Sequence, residues 1–102
     1  MILDEPEIHL HPEWQLLFAE IIVLLQKEFR LRVVINTHSP YFLNAVEVYA
    51  AKHGVADVCH YYLASMRGQT SVIEDVTGDT ERIYAKLARP LQDLENERFT
   101  DD

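Results

Sequence analysis

Asp4, Glu5 and His38 are the residues whose types and spacing could do chemistry on a nucleotide. Met1-Ile2-Leu3-Asp4-Glu5 reads as the tail of a buried strand that delivers two adjacent carboxylates to solvent. Val33-Val34-Ile35-Asn36-Thr37-His38 reads as a second apolar strand delivering a lone imidazole. Ligands of open α/β sheets sit beyond the carboxyl ends of the strands, so acids on one tip and a histidine on its neighbour form half of a Mg-nucleotide site. Consecutive strand residues point to opposite faces, which separates the tasks. Asp4 can hold Mg2+ or its waters, and Glu5, just past the sheet, can orient and deprotonate a water. The imidazole can offer a hydrogen bond to charge developing on a transferring phosphoryl. The bland alternative is a solvated strand end, because an apolar-apolar-Asp-Glu string is common.

The other half of such a site is not in the sequence. Gly54, Gly68 and Gly78 are the only glycines, so G-x-x-x-x-G-K-[ST] cannot be written and no run of backbone N–H groups cradles a triphosphate.

The elements that must position these groups follow from pattern. Pro12 suits a first helical position and Glu13 the positive helix start. Trp14, Leu17, Phe18, Ile21, Leu25 and Phe29 recur on one face, which predicts a helix from Pro12 to Phe29 with those residues in the core. Glu13, Gln15, Glu20, Gln26 and Lys27 keep the opposite face wet, as befits a crossover helix on a sheet. Leu31 to Asn36 scarcely alternates, predicting an interior strand covered on both faces. Ser39-Pro40 starts a second helix, with the hydroxyl as cap, Phe42, Leu43, Val46, Tyr49 and Ala50 as its buried stripe, and Gly54 ending it.

Val58 to Ala64, which contains Cys59, and Ser71 to Val76 predict an antiparallel hairpin about a Ser65 to Thr70 loop, placed at a sheet edge. Asp79 can cap a further helix bearing Ile83, Tyr84 and Leu87, Pro90 breaks or kinks it, and the acidic Glu95 to Asp102 frays. The fold class is α/β: mainly parallel strands with crossover helices and a carboxyl-terminal antiparallel hairpin. Without an internal repeat or a dividing linker, residues 1–102 read as one domain or part of one.

Composition narrows the function classes. A 48% apolar content supports a modest core in 102 residues, and no stretch approaches a bilayer span or a signal peptide. A single cysteine excludes a disulfide framework within the chain and fits a reducing cytoplasm. A formal charge of −8 with nine Lys and Arg argues against direct nucleic-acid binding by this segment.

Ile2-Leu3-Asp4-Glu5-Pro6-Glu7, Leu10-His11-Pro12 and Thr37-His38-Ser39-Pro40 together resemble the carboxyl-terminal half of an ABC-type ATPase domain. The branch is the one that includes RecF/SMC-like proteins and overcoming-lysogenization-defect nucleases. Three motifs in the right order make the likeness specific, and it is close over residues 1 to 45. It implies a partial P-loop NTPase-like layered fold and an AAA-type, ATP-binding hydrolase acting in DNA repair or phage defence. Carried over by residue, Asp4 looks like the Walker B aspartate near Mg2+, Glu5 like the glutamate that activates the attacking water, and His38 like the switch histidine at the γ-phosphate. Glu7, His9, Leu10, His11 and Pro12 look like the D-loop that crosses to a partner subunit.

The Walker A loop and the signature motif of that family are absent, so the resemblance implies ATP and Mg2+ only in a completed domain. The partner would be a Walker A-bearing amino-terminal half or a second subunit, in a homodimer or hetero-assembly. In the family the loop-bearing strand lies between those corresponding to Leu31–Asn36 and Val58–Ala64. Those two strands must therefore pair directly, accept a strand from another chain, or dimerise through exposed edges. Alone, the chain is expected not to hydrolyse ATP.

Two rivals come from other classes. One is a non-catalytic interaction module derived from the ATPase fold. The other is a small metal-dependent phosphoesterase using His9, His11 and His38 with the acids, although H-x-H alone is a weak signal and His11 also suits capping the turn before Pro12. Acids at Asp75, Asp79 and Glu81 are expected of a turn and helix start.

Overall fold

The computed structural model describes residues 1–100. It divides into two compact units, Met1–Cys59 and His60–Asp102.

The first unit runs β1 (Ile2–Asp4), α1 (Pro12–Phe29), β2 (Val34–Asn36) and α2 (Pro40–Lys52), then a short 3-10 turn at Ala56–Val58. The strands pair in parallel, with Ile2 opposite Val34, Leu3 opposite Ile35 and Asp4 opposite Asn36. The crossover is α1, as the proline at its start requires: Pro12 lacks the N–H that a first helical residue does not use. Ser39 caps α2 through its hydroxyl, which accepts from the Phe42 N–H at 3.2 Å. At the other end Gly54 takes a φ of 75°, the left-handed conformation that closes a helix at little cost to glycine.

The core lies between the helices. Ala19 and Ile22 of α1 meet Phe42 and Ala45 of α2, with Leu3, Phe18, Val33, Ile35, Val46 and Tyr49 packed around them. Phe18 and Phe42 stack with centroids 6.2 Å apart, a favourable offset aromatic spacing.

Two expectations about this core are corrected. The buried face of α1 is Ala19, Ile22 and Val23, whereas Trp14, Leu17, Ile21 and Phe29 are exposed. The helix is apolar almost all the way round between Leu16 and Leu25, so two stripes compete and packing against α2 selects one. The segment 31–36 is not an interior strand either. Only Val34–Asn36 is strand, and Val34 is 61% exposed while Leu3 and Ile35 face the core. Helices cover one face of β1 and β2, which restores the alternation that the apolar letters hid.

Glu20 of α1 ties the two helices together. It accepts from His53 Nε2 at 3.0 Å, and Lys52 Nζ lies 3.7 Å away. The His53 hydrogen bond holds the Glu20 carboxyl below its usual range; burial opposes this and the Lys52 charge assists it. A depressed carboxylate contributes stability above its unfolded-state value and loses it as pH falls through the folded value. The wild-type chain is therefore expected to melt above Glu20→Gln at neutral pH, with the gap narrowing below the ordinary carboxylate range. Thermal melts of both across that range check it, and a gap that does not change with pH would contradict it.

The second unit is a hairpin and a helix. β3 (Tyr62–Arg67) and β4 (Thr70–Asp75) pair antiparallel and are followed by α3 (Glu81–Thr100). Arg67 stands opposite Thr70, so the connection is the pair Gly68-Gln69, with Gly68 at a φ of 65°, rather than the longer Ser65 to Thr70 loop expected. The first strand begins at Tyr62 and not Val58, because Ala56–Val58 closes a 3-10 turn whose carbonyl at Ala56 accepts from the Cys59 N–H at 3.2 Å. Cys59 therefore sits beside that turn, not in a strand. Glu74 of β4 holds Arg67 at 3.1 Å and Arg82 of α3 at 2.9 Å. Pro90 lies inside α3, which is continuous across it to Thr100, so the break expected there is corrected; of the acidic end from Glu95, residues 101 and 102 lie outside the described residues.

Among the described residues β2 pairs only with β1, and β3 only with β4.

Candidate functional site

Parallel pairing brings the carboxyl ends of β1 and β2 side by side, and the residues singled out at those tips meet there. Asp4 and Asn36 are directly opposite in register, and the Asn36 amide Nδ2 donates to Asp4 Oδ1 at 2.7 Å. One residue further, the Glu5 N–H donates to the Asn36 carbonyl at 2.6 Å, which carries the ladder one step past the strand. Glu5 Oε1 then lies 2.7 Å from His38 Nδ1.

Glu5 has a φ of 45°, a left-handed conformation that costs a residue with a Cβ about 1–2 kcal/mol. Such outliers persist where the surroundings over-determine them, and they concentrate at functional sites. Here the Asn36 bond on one side and the Ile8 N–H donating to the Glu5 carbonyl at 3.2 Å on the other fix the turn.

The contact also fixes the chemistry of the imidazole. An ionised carboxylate only accepts, so Nδ1 of a neutral His38 must carry the ring proton, leaving Nε2 as an acceptor. The His38 side chain is 74% exposed and that of Glu5 35%, so the pair is presented to solvent. Exposed pairs of this kind contribute little to stability, and their value lies in orientation.

Asp4 keeps one carboxylate oxygen outside the Asn36 hydrogen bond. Mg2+ is held by one or two carboxylates with water and substrate phosphates filling the remaining positions, so this donor set fits that ion.

The turn between β1 and α1 places its residues differently from one another. Ile8, His9, His11 and Pro12 are exposed, and Leu10 is half-buried. Glu7, grouped by resemblance with the partner-facing residues, is 5% exposed within the chain and accepts from the Thr37 hydroxyl. His11 occupies the N-cap position of α1 but makes no side-chain capping bond. Among the described residues no three His, Cys, Asp or Glu side chains converge to hold a metal, so His9 and His11 form no metal cluster with the acids.

Sequence reasoning missed Asn36, Thr37 and Gln15. Asn36 becomes legible only when the register is known, since it is the residue opposite Asp4. Thr37 entered only as a letter of the Thr37-His38-Ser39-Pro40 motif without a role, and Gln15 only as part of a polar helix face.

Residues 1–44 match the family model described as "AAA domain, putative AbiEii toxin, Type IV TA system". That match supports an AAA, P-loop ATPase-like domain over this segment, with nucleotide binding as its general function and Mg2+ as the usual companion ion. No solved structure matches the chain. Among the described residues no helix is long and apolar enough to cross a membrane.

Proposed function

We propose that residues 1–44 form the hydrolysis side of an ABC-type ATP site whose phosphate grip is supplied by a loop-bearing amino-terminal half or second subunit outside these 102 residues. The observation that carries this reading is the 2.7 Å contact of Glu5 with His38 at the tips of paired parallel strands, beside Asp4. In it, Glu5 accepts a proton from the attacking water as the water oxygen bonds to the γ-phosphorus and the bridging bond to ADP breaks. His38, oriented by Glu5, contributes a hydrogen bond to the phosphoryl oxygens where charge accumulates. Asp4 would hold Mg2+, which when bound offsets negative charge on the phosphates.

Phosphoryl transfer depends on positioning and charge stabilisation, and most of both belongs to the phosphate loop and its lysine. The chain alone is therefore a half-site. The exposed residues of the 8–12 turn would face the completing polypeptide, which gives the assembly its partner surface. A metal-only phosphoesterase needs convergent ligands, and among the described residues no three His, Cys, Asp or Glu side chains form a group that could hold a metal.

The reading is tested by titrating Mg-ATP while following the His38 ring resonances, with the chain alone and with a phosphate-loop polypeptide added. A response only in the second case is expected.

A further inference from the structure

We propose that Glu7 is the positioning residue for the Glu5–His38 pair, acting through Thr37 in a closed circuit of hydrogen bonds that holds the 5–11 turn and the 37–39 segment as one body. The inference rests on the half-site reading for its purpose, but its geometry stands apart from nucleotide.

The circuit passes through five residues. The Thr37 hydroxyl donates to Glu7 Oε1, and the Ser39 N–H donates to the Thr37 oxygen at 3.1 Å. The Ser39 hydroxyl donates to Gln15 Oε1 at 3.2 Å, and Gln15 Nε2 donates to the Leu10 carbonyl at 3.1 Å. The Leu10 N–H closes the loop by donating to the Glu7 carbonyl at 2.9 Å. His38 lies between two residues whose side chains are both members.

That arrangement answers a physical difficulty. An imidazole 74% exposed has little packing to hold its rotamer, and an exposed ion pair gains too little to fix two side chains unaided. Its place must be imposed through the backbone on either side, which is where Thr37 and Ser39 are tied.

Glu7 is a costly choice for packing alone. It is 5% exposed, and while Oε1 is served by Thr37, Oε2 is buried with no partner among the described residues. Buried polar groups are satisfied in the great majority of cases, and an apolar side chain of similar size would avoid the cost. An apolar side chain could not, however, receive the Thr37 hydroxyl, so the carboxylate is explained by what it orients.

The test reads the His38 tautomer by nitrogen-15 NMR of the full chain without nucleotide, at a pH where the ring is neutral. In the wild type Glu5 should hold the proton on Nδ1, whereas a released histidine prefers Nε2. Thr37→Val and Glu7→Leu are expected to bring the ratio of Nδ1–H to Nε2–H from above one to below one, and Thr37→Ser to leave it high. Folded variants that keep the Nδ1–H form would overturn the proposal. Should both variants unfold, Gln15→Ala cuts the circuit from α1 with a strong helix former. A fall in the same ratio is expected there, and an unchanged ratio would overturn the proposal equally. Because no nucleotide is present, failure here removes the role of Glu7 alone; silence of His38 toward Mg-ATP in the completed assembly would instead remove the half-site reading.

Discussion

Glu5→Gln, made in the chain and completed by a phosphate-loop polypeptide, is expected to lower ATP turnover by about 10²–10⁴-fold while leaving nucleotide affinity nearly unchanged. The substitution is informative because it is almost isosteric. A glutamine carbonyl still accepts from His38 Nδ1, so the 2.7 Å contact and the left-handed turn can survive. What is lost is the capacity to take a proton from water, and with it the step assigned to Glu5. Steady-state phosphate release gives the rate, and equilibrium binding of the same variant separates chemistry from affinity. Turnover within a few-fold of the wild type would assign the proton to another group.

Phe42→Ala is expected to destabilise the amino-terminal unit by about 3–5 kcal/mol, a large share of what a small domain possesses. Phe42 is completely buried, stacks on Phe18, and is the largest fully buried side chain among the described residues. Its cluster partners Ala19 and Ala45 are too short to move into the space it would leave. The functional consequence is direct: α2 begins at Ser39 and Pro40, immediately after His38, so loosening the helix releases the imidazole as well. Urea denaturation followed on amides of residues 1–59 measures the loss. Tyr41→Ala is the control, since Tyr41, the neighbour of Phe42 on the same helix, is 70% exposed and its loss should change stability by only about 0.5 kcal/mol. Equal effects at the two positions would contradict the core described here.

The helix boundaries were legible where a single residue type dictates backbone behaviour. Pro12 and Ser39-Pro40 place the starts of α1 and α2, and Gly54 follows the end of α2, because each answers a question about hydrogen-bond donors or φ that few other residues answer. The inward face of α1 was not legible, since a helix apolar on most sides carries no unique stripe and α2 decides. Nor was the exposure of Val34: an unalternating strand implies cover on both faces, and one face here has none from its own unit. The hairpin was legible in kind but not in length, because Gly68 permits a tighter turn than the polar run around it suggested.

For the site, the meeting of positions 5 and 38 follows from two apolar strands ending in polar residues, which parallel pairing brings together. The inward turn of Glu7 could not be read from letters. A glutamate in a Pro- and His-rich turn looks solvated until the hydroxyl of Thr37, thirty positions away, is found pointing at it.

The most direct measurement is a residue-resolved NMR titration of the isotopically labelled chain with Mg-ATP, alone and completed by a phosphate-loop polypeptide. The account predicts that nucleotide leaves the isolated chain essentially unperturbed, and that in the completed assembly it shifts Asp4, Glu5, Asn36 and the His38 ring together. Saturating nucleotide in that assembly with these four residues unmoved, and the response elsewhere in the chain, would contradict it.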